Sequence, residues 1–186
     1  TAIFANIGDR NPDFTIGFSN NITFKDFNLS FLFDIRKGGD IWNGTNARMN
    51  RIGISEASGE RDHTFVIEGV IEQADGSYVA NDIEIAPEDY WGDYLGDFGA
   101  SSQAIQDGGW VRLREVKLAY TFTLDPKNVI KGLSVSATGR NLWLKTDYLG
   151  VDPETSLTGA GSNISGFDWF NNPGTKSYLF SVSAAF

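Results

Sequence analysis

The chain has 186 residues, is 41% hydrophobic and 13% aromatic, and includes 21 glycines, which is too apolar a mix for a disordered segment. A formal charge of −9 excludes the basic footprint that nucleic acid requires, so no nucleic-acid partner is expected. The absence of cysteine removes disulfides, thiolate metal sites and a cysteine nucleophile together.

Residues 13 to 24, DFTIGFSNNITF, alternate with a period of two. Phe14, Ile16, Phe18, Ile22 and Phe24 share one face, with Asn20 the polar exception; Thr15, Gly17, Ser19, Asn21 and Thr23 share the other. A Lys25-Asp26 turn leads to FNLSFLFDIRK, 27 to 37. Here Phe27, Leu29, Phe31, Phe33 and Ile35 oppose Asn28, Ser30, Asp34 and Arg36, with Leu32 among the polar set, and the two runs read as a hairpin. Residues 38 to 109 follow as a long irregular stretch with a strand-like patch at 63 to 71 and a short helix near APEDYWGDYL. A connection of that length is unusual inside a compact domain and usually functional.

The run WVRLREVKLAYTFT, 110 to 123, puts Val116, Leu118, Tyr120 and Phe122 on an apolar face. Arg112 and Arg114 have the same parity, so either the environment changes along this strand or a β-bulge shifts its phase. The short link LDPKNVIKG leads to 133 to 144, where Leu133, Val135, Ala137, Gly139 and Trp143 oppose Ser134, Ser136, Thr138 and Arg140. A second long loop, 145 to 175, precedes KSYLFSVSAAF, in which Tyr178, Phe180, Val182, Ala184 and Phe186 alternate with Ser177, Leu179, Ser181, Ser183 and Ala185.

Antiparallel neighbours place successive connections at opposite ends of a sheet, so all short turns fall at one end and all long loops at the other. That asymmetry belongs to outer-membrane barrels, and each run reaches the roughly 9–11 residues a tilted strand needs to cross a bilayer. No stretch of about 18 apolar residues offers a transmembrane helix, which leaves strands open. Five strands cannot close a barrel, and lipid does not tolerate open sheet edges. The expected fold is therefore all-β: five antiparallel strands of a large transmembrane β-barrel with long extracellular loops. The polar wall facing inward would include Ser19, Asn21, Ser30, Asp34, Arg36, Lys117, Thr121, Ser134, Ser136 and Arg140.

Five ordered motifs, GDRNPDFTIGFSNNITFKDFNLSFLFDIRKGGDIWNGT, GVIEQADGSYVANDIEIAPEDYW, WVRLREVKLAYTF, VSATGRNLWLKTDYLGVDPE and the closing strand, resemble the C-terminal end of SusC/RagA-type TonB-dependent outer-membrane transporters. The resemblance covers nearly the whole chain and implies one portion, 1–186, of a barrel domain whose plug and N-terminal strands lie elsewhere. It implies location in the bacterial outer membrane and active import of oligosaccharides or peptides. The implied partners are the rest of the barrel and its plug, a SusD-like surface lipoprotein acting as a lid, outer-membrane lipid, and the TonB complex through the missing N-terminal part. It places YLGVDPET in the extracellular turn after the penultimate strand. A terminal aromatic on an alternating last strand resembles the signal read by the barrel-assembly machinery, assigning that role to Tyr178, Phe180, Val182, Ala184 and Phe186 and making Phe186 the true C-terminus.

Candidate site residues have competing readings. Trp143 fits an aromatic girdle at the membrane surface or ordinary loop packing. Tyr90, Trp91 and Tyr94, and Trp169 and Phe170 of FDWF, could contact ligand or lid, or could pack the loops' own cores. The acidic residues Asp82, Glu84, Glu88, Asp89, Asp93 and Asp97 lack EF-hand spacing and read as a solvated acidic loop rather than a calcium site. His63, the single histidine, reads as a surface loop residue. No nucleophile-elbow or phosphate-loop sequence occurs, so no enzyme activity, catalytic residue, metal site or cofactor is expected. A secreted β-sandwich carbohydrate-binding module is the alternative, since it would share the alternation and the aromatics.

Overall fold

The five alternating runs form the five long strands of a computed structural model that describes residues 5–99, 101–125, 127, 129–158 and 164–186. They are β1 (Phe14–Phe24), β2 (Phe27–Lys37), β3 (Trp110–Phe122), β4 (Gly132–Thr146) and β5 (Ser177–Ala185). Each pairs antiparallel with its neighbour in sequence, giving one sheet in the order β1-β2-β3-β4-β5. Phe24 opposite Phe27 closes the two-residue turn, where Lys25 takes a φ of 52° and its ammonium lies 5.5 Å from the Phe24 ring centre. The connections 38–109 and 147–176 leave one end of the sheet, and the two short turns lie at the other.

Register carries the period-two pattern across the strands. Phe18 faces Phe33, Phe31 faces Val116, Val116 faces Gly139 and Ala137 faces Phe180, so one face is apolar except for Asn20 and, at its loop end, Lys37 and Lys145. The phase shift anticipated from Arg112 and Arg114 is a β-bulge. Leu32 lies opposite Glu115 but Phe33 lies opposite Leu113, so Arg114 is passed over. On the other side the ladder skips from Arg140 to Trp143, and Asn141 takes a φ of 51°, which asparagine tolerates. Because two residues are skipped on β4, Trp143 keeps the apolar parity of Leu133. Because one is skipped on β3, Arg112 joins the polar face and Leu113 and Val111 the apolar one.

Among the described residues of the sheet, the apolar face is left exposed. Phe14, Phe18, Phe24, Phe27, Phe180 and Val182 remain 48–80% exposed, and the chain shows 12835 Å² of accessible surface. A globular water-soluble protein of 20.4 kDa would show roughly 8,800 Å². A β-sandwich needs a second sheet about 10 Å away filling that face, and the exposure of these side chains is what a lipid-facing wall requires instead.

The described residues fall into two compact units, one holding the sheet and the other built mainly from Ile41–Gln106 and Ser156–Asn171. The second contains more regular structure than the irregular stretch expected from sequence. Strand Asp40–Asn43 sits between Phe167–Asp168, which runs parallel to it, and Ile105–Asp107. Helix α1 (Gly44–Arg51) starts where the Asn43 side chain accepts from the Asn46 amide at 2.9 Å. It has Arg48 and Arg51 in its last turn and is followed by Gly53 at a φ of 70°, a left-handed stop. The patch at 63 to 71 splits into Phe65–Val66, paired with Glu84–Ile85, and Val70–Glu72, paired with Tyr78–Ala80. The short helix expected near residue 90 is a single turn, Pro87–Asp89, running into a wider turn closed by the Leu95 amide on the Tyr90 carbonyl.

Candidate functional site

On the polar face, the bulge gathers an ion cluster. Arg112 Nη2 donates to Asp152 Oδ1 at 2.6 Å, and both residues are buried, at 4% and 6% exposure. Arg112 Nε lies 3.0 Å from Glu154 Oε2 without hydrogen-bond alignment, so that contact is electrostatic. Arg114 forks onto Glu154, Nη1 to Oε2 at 2.8 Å and Nη2 to Oε1 at 2.7 Å, and Nη2 also reaches Asp34 Oδ2 at 2.8 Å. The turn is tied to itself as well: Asp152 Oδ1 accepts the Glu154 amide at 3.0 Å, and its carbonyl accepts the Thr155 hydroxyl at 2.8 Å. A side chain at Gly174 would come within 2.7 Å of Asp152 Oδ2, so glycine permits that close approach. The motif YLGVDPET is thus fixed to the wall by its two carboxylates. Sequence reading placed the motif but missed the arginines; the signal was the odd parity of Arg112 and Arg114.

The loop aromatics, read from sequence either as ligand or lid contacts or as packing of the loops' own cores, pack on one another. Tyr90 stacks on Phe65 with centres 4.0 Å apart and 2° between planes, Trp91 stands edge-on to both, and Tyr94 lies 5.6 Å from Tyr90. The Trp91 indole N–H donates to the Glu60 carbonyl at 2.9 Å. His63 rests against Phe65 at 4.5 Å, on the exposed rim. Trp169 stacks on Trp42 at 5.9 Å and 8°, over Gly44, where a Cβ would lie 2.3 Å from the Trp42 ring. Beneath them Asp168, 1% exposed, accepts from the Thr45 hydroxyl at 2.9 Å. Phe170 stays 55% exposed at a φ of 54°.

A polar cleft of about 540 Å³ in this unit is lined by Asn50, Arg51, Arg61, Glu88, Trp91 and Asp93, among others. One member of the acidic run departs from the solvated reading: the Asp97 side chain is 7% exposed and is held by Arg48 at 3.2 Å and Arg51 at 3.6 Å. Glu84 accepts from the Thr64 hydroxyl at 2.7 Å. In the turn between the Val70–Glu72 and Tyr78–Ala80 strands, the Ser77 hydroxyl and amide hold the Asp75 carboxyl below its ordinary range. No group of three or more histidine, aspartate or glutamate residues is arranged to hold a metal among the described residues.

Trp143 lies on the apolar face at the loop end of the sheet, opposite Leu113 and 47% exposed. Tyr178, Phe180, Val182 and Ala184 share that face, opposite Gly139, Ala137, Val135 and Leu133. Phe186 follows the last paired residue and is 82% exposed.

No family model matches the chain. It is 25% identical over 187 residues to TonB-dependent receptor P3 of Formosa agariphila, an alignment covering 97% of this chain and 17% of that protein. With TonB-dependent receptor P26 of the same organism it shares 27% over 188 residues, covering 97% and 18%. In fold it matches a chain of the RagAB peptide importer, with TM-scores of 0.64 for the open-open state at 21% identity and 0.66 for the closed-closed state at 20%. These matches cover 95% and 100% of this chain and 17% and 18% of the solved one. The chain thus spans less than a fifth of the length of the relatives it matches. No helix among the described residues is long and apolar enough to cross a membrane, and the strands do what a barrel wall requires. A sheet with one uncovered apolar face, long connections at one end only and this similarity in sequence make the chain resemble a stretch of the outer-membrane β-barrel of TonB-dependent receptors, with the fold of the RagAB importer chain.

Proposed function

We propose that this chain forms five strands and two large extracellular loops of the barrel of a transporter that imports oligosaccharides or peptides across the outer membrane by TonB-dependent action. The observation that carries this reading is the sheet itself. Its apolar face is open to lipid, its polar face is laced with ion pairs, and both edge strands are exposed along their length. Strands β1 and β5 are the seams to the rest of the barrel, since a lipid-embedded sheet cannot keep free edges. The polar face, with Ser30, Lys117, Thr121, Ser134, Ser136 and Arg140, meets the plug. Energy coupling belongs to the plug and N-terminal part, which reach the TonB complex.

The loop unit faces the cargo and a SusD-like lipoprotein lid. The structural neighbour is a peptide importer, which makes peptides the first class to test. Of the candidate loop aromatics, Phe170 is the most exposed; Trp169, Tyr90, Trp91 and Tyr94 offer their outer edges from packed clusters. Trp143 takes the girdle position. Tyr178, Phe180, Val182, Ala184 and Phe186 form the strand that the assembly machinery recognises.

Deleting the full-length receptor from its native cell tests the transport reading. Uptake of fluorescent peptide mixtures or oligosaccharide mixtures should fall; undiminished uptake of both would overturn it. A well-folded, detergent-free monomer of this segment alone would overturn the barrel-wall reading.

A further inference from the structure

We infer that the loop end of the apolar face binds the phosphate-bearing headgroups of membrane lipid, through Lys37 and Lys145 with Lys176 beside them. The inference rests on the reading of the sheet as outer-membrane wall, and adds a lipid site to it.

The apolar face excludes one sign of charge. The chain has 24 Asp and Glu residues against 15 Lys and Arg. Yet no carboxylate lies on the apolar face within any of the five strands. The charged residues on that face are Lys37, opposite Phe14, and Lys145, opposite Val111 and two residues beyond Trp143. Both sit at the loop end. Lys176, just before β5, lines a shallow cleft that Trp143 shares with Arg112 and Asp152 of the ion cluster. All three are exposed, and among the described residues none makes an ion pair.

Arginine and lysine divide the work. Every ion pair between described residues uses an arginine, four of them in the Arg112–Arg114 cluster. Arginine's planar fork suits fixed carboxylates, whereas lysine is a compact point charge on a flexible stem. An unpaired lysine next to an apolar wall lays its methylenes along that wall and lifts its ammonium outward. An eleven-residue strand such as β2 rises about 37 Å along its axis, or about 28 Å across the bilayer at a tilt of about 40°. That matches the hydrocarbon thickness and puts Lys37 at the headgroup level.

An apolar wall whose strands carry lysine but no carboxylate at their loop end complements an amphiphile with acyl chains below and phosphate above. A soluble anion would gain nothing from the wall. A protein partner would need water on a face that the barrel commits to lipid.

The test uses the full-length receptor, purified in mild detergent, delipidated and titrated with phosphatidic acid or with diacylglycerol of the same chains, read by native mass spectrometry. K37Q/K145Q/K176Q should weaken phosphatidic-acid binding about fivefold or more, and the triple lysine-to-arginine variant should retain it. Diacylglycerol binding should be unchanged, and K25Q/K127Q at the short-turn end should leave the loop-end site intact. Wild-type phosphatidic-acid affinity in a triple glutamine variant with a heat-modifiable barrel would overturn the inference. Displacement of phosphatidic acid by inorganic phosphate would overturn the lipid assignment. Failure of the wall reading would show separately, as a wild-type receptor absent from the outer-membrane fraction.

Discussion

The two faces of the sheet answer to different solvents. The apolar face from Phe14 to Val182 is a surface of phenylalanine, leucine, isoleucine and valine whose charges are confined to one rim. The polar face joins Arg140 to Glu115 at 2.8 Å, Asn28 to Asn21 and Thr23 at 2.6 and 2.9 Å, and Arg112 and Arg114 to three carboxylates. Each strand alternates between the two, so a single residue's shift of register would exchange them. The bulge at Arg114 is the one place where the chain makes that shift on purpose. It swaps the phase of β3 and brings arginine to the polar side where the YLGVDPET turn arrives.

The largest expected break in this comparison is Arg112→Ala. It strands the buried Asp152 carboxylate, a change that typically costs about 3–5 kcal/mol. Urea unfolding of the full receptor in detergent should show it, and R112A/D152A should recover much of the loss; equal loss in single and double variants would detach the turn from this ion pair. Next comes Leu118→Arg on the apolar face, where a cation near mid-bilayer costs about 2–4 kcal/mol. Ser136→Arg, on the polar face, should stay within about 0.5 kcal/mol. Folded fractions in liposomes compare the two, and equal penalties would erase the distinction between the faces.

Gly44→Ala tests the loop unit. Its methyl group would press on Trp42 and Trp169, costing about 1–3 kcal/mol. Limited proteolysis should cut the loops faster while the strands stay protected. The smallest thermodynamic effect is expected from deleting Phe186, which makes no ladder pair. Barrel stability should change by under about 0.5 kcal/mol, but the assembled amount in the outer membrane should fall. Unchanged levels of heat-modifiable barrel would remove Phe186 from the assembly signal.

Much of the sheet was legible because its signal is local. Alternation in DFTIGFSNNITF and FNLSFLFDIRK locates β1 and β2 within a residue, and the parity conflict at Arg112 and Arg114 marks a change of environment or a bulge, of which the fold has the bulge. The loop unit was not legible because it is held by distant contacts. Thr45 bonds Asp168 across 123 positions, and the Phe167–Asp168 strand lies beside Trp42 and Asn43. Helix α1 has few apolar residues to mark a period, and its start depends on one asparagine. The ion cluster lies between these cases: the arginines and the VDPE carboxylates are visible in sequence, but their meeting needs the fold.

The most direct test of the account is spin-label accessibility along β3 of the membrane-embedded receptor, using single cysteines from 110 to 122 against this cysteine-free stretch. Oxygen accessibility should peak at 122, 120, 118 and 116, then reverse phase at Arg114 and peak at 113 and 111. An unbroken alternation, or water-phase accessibility on both faces, would contradict it.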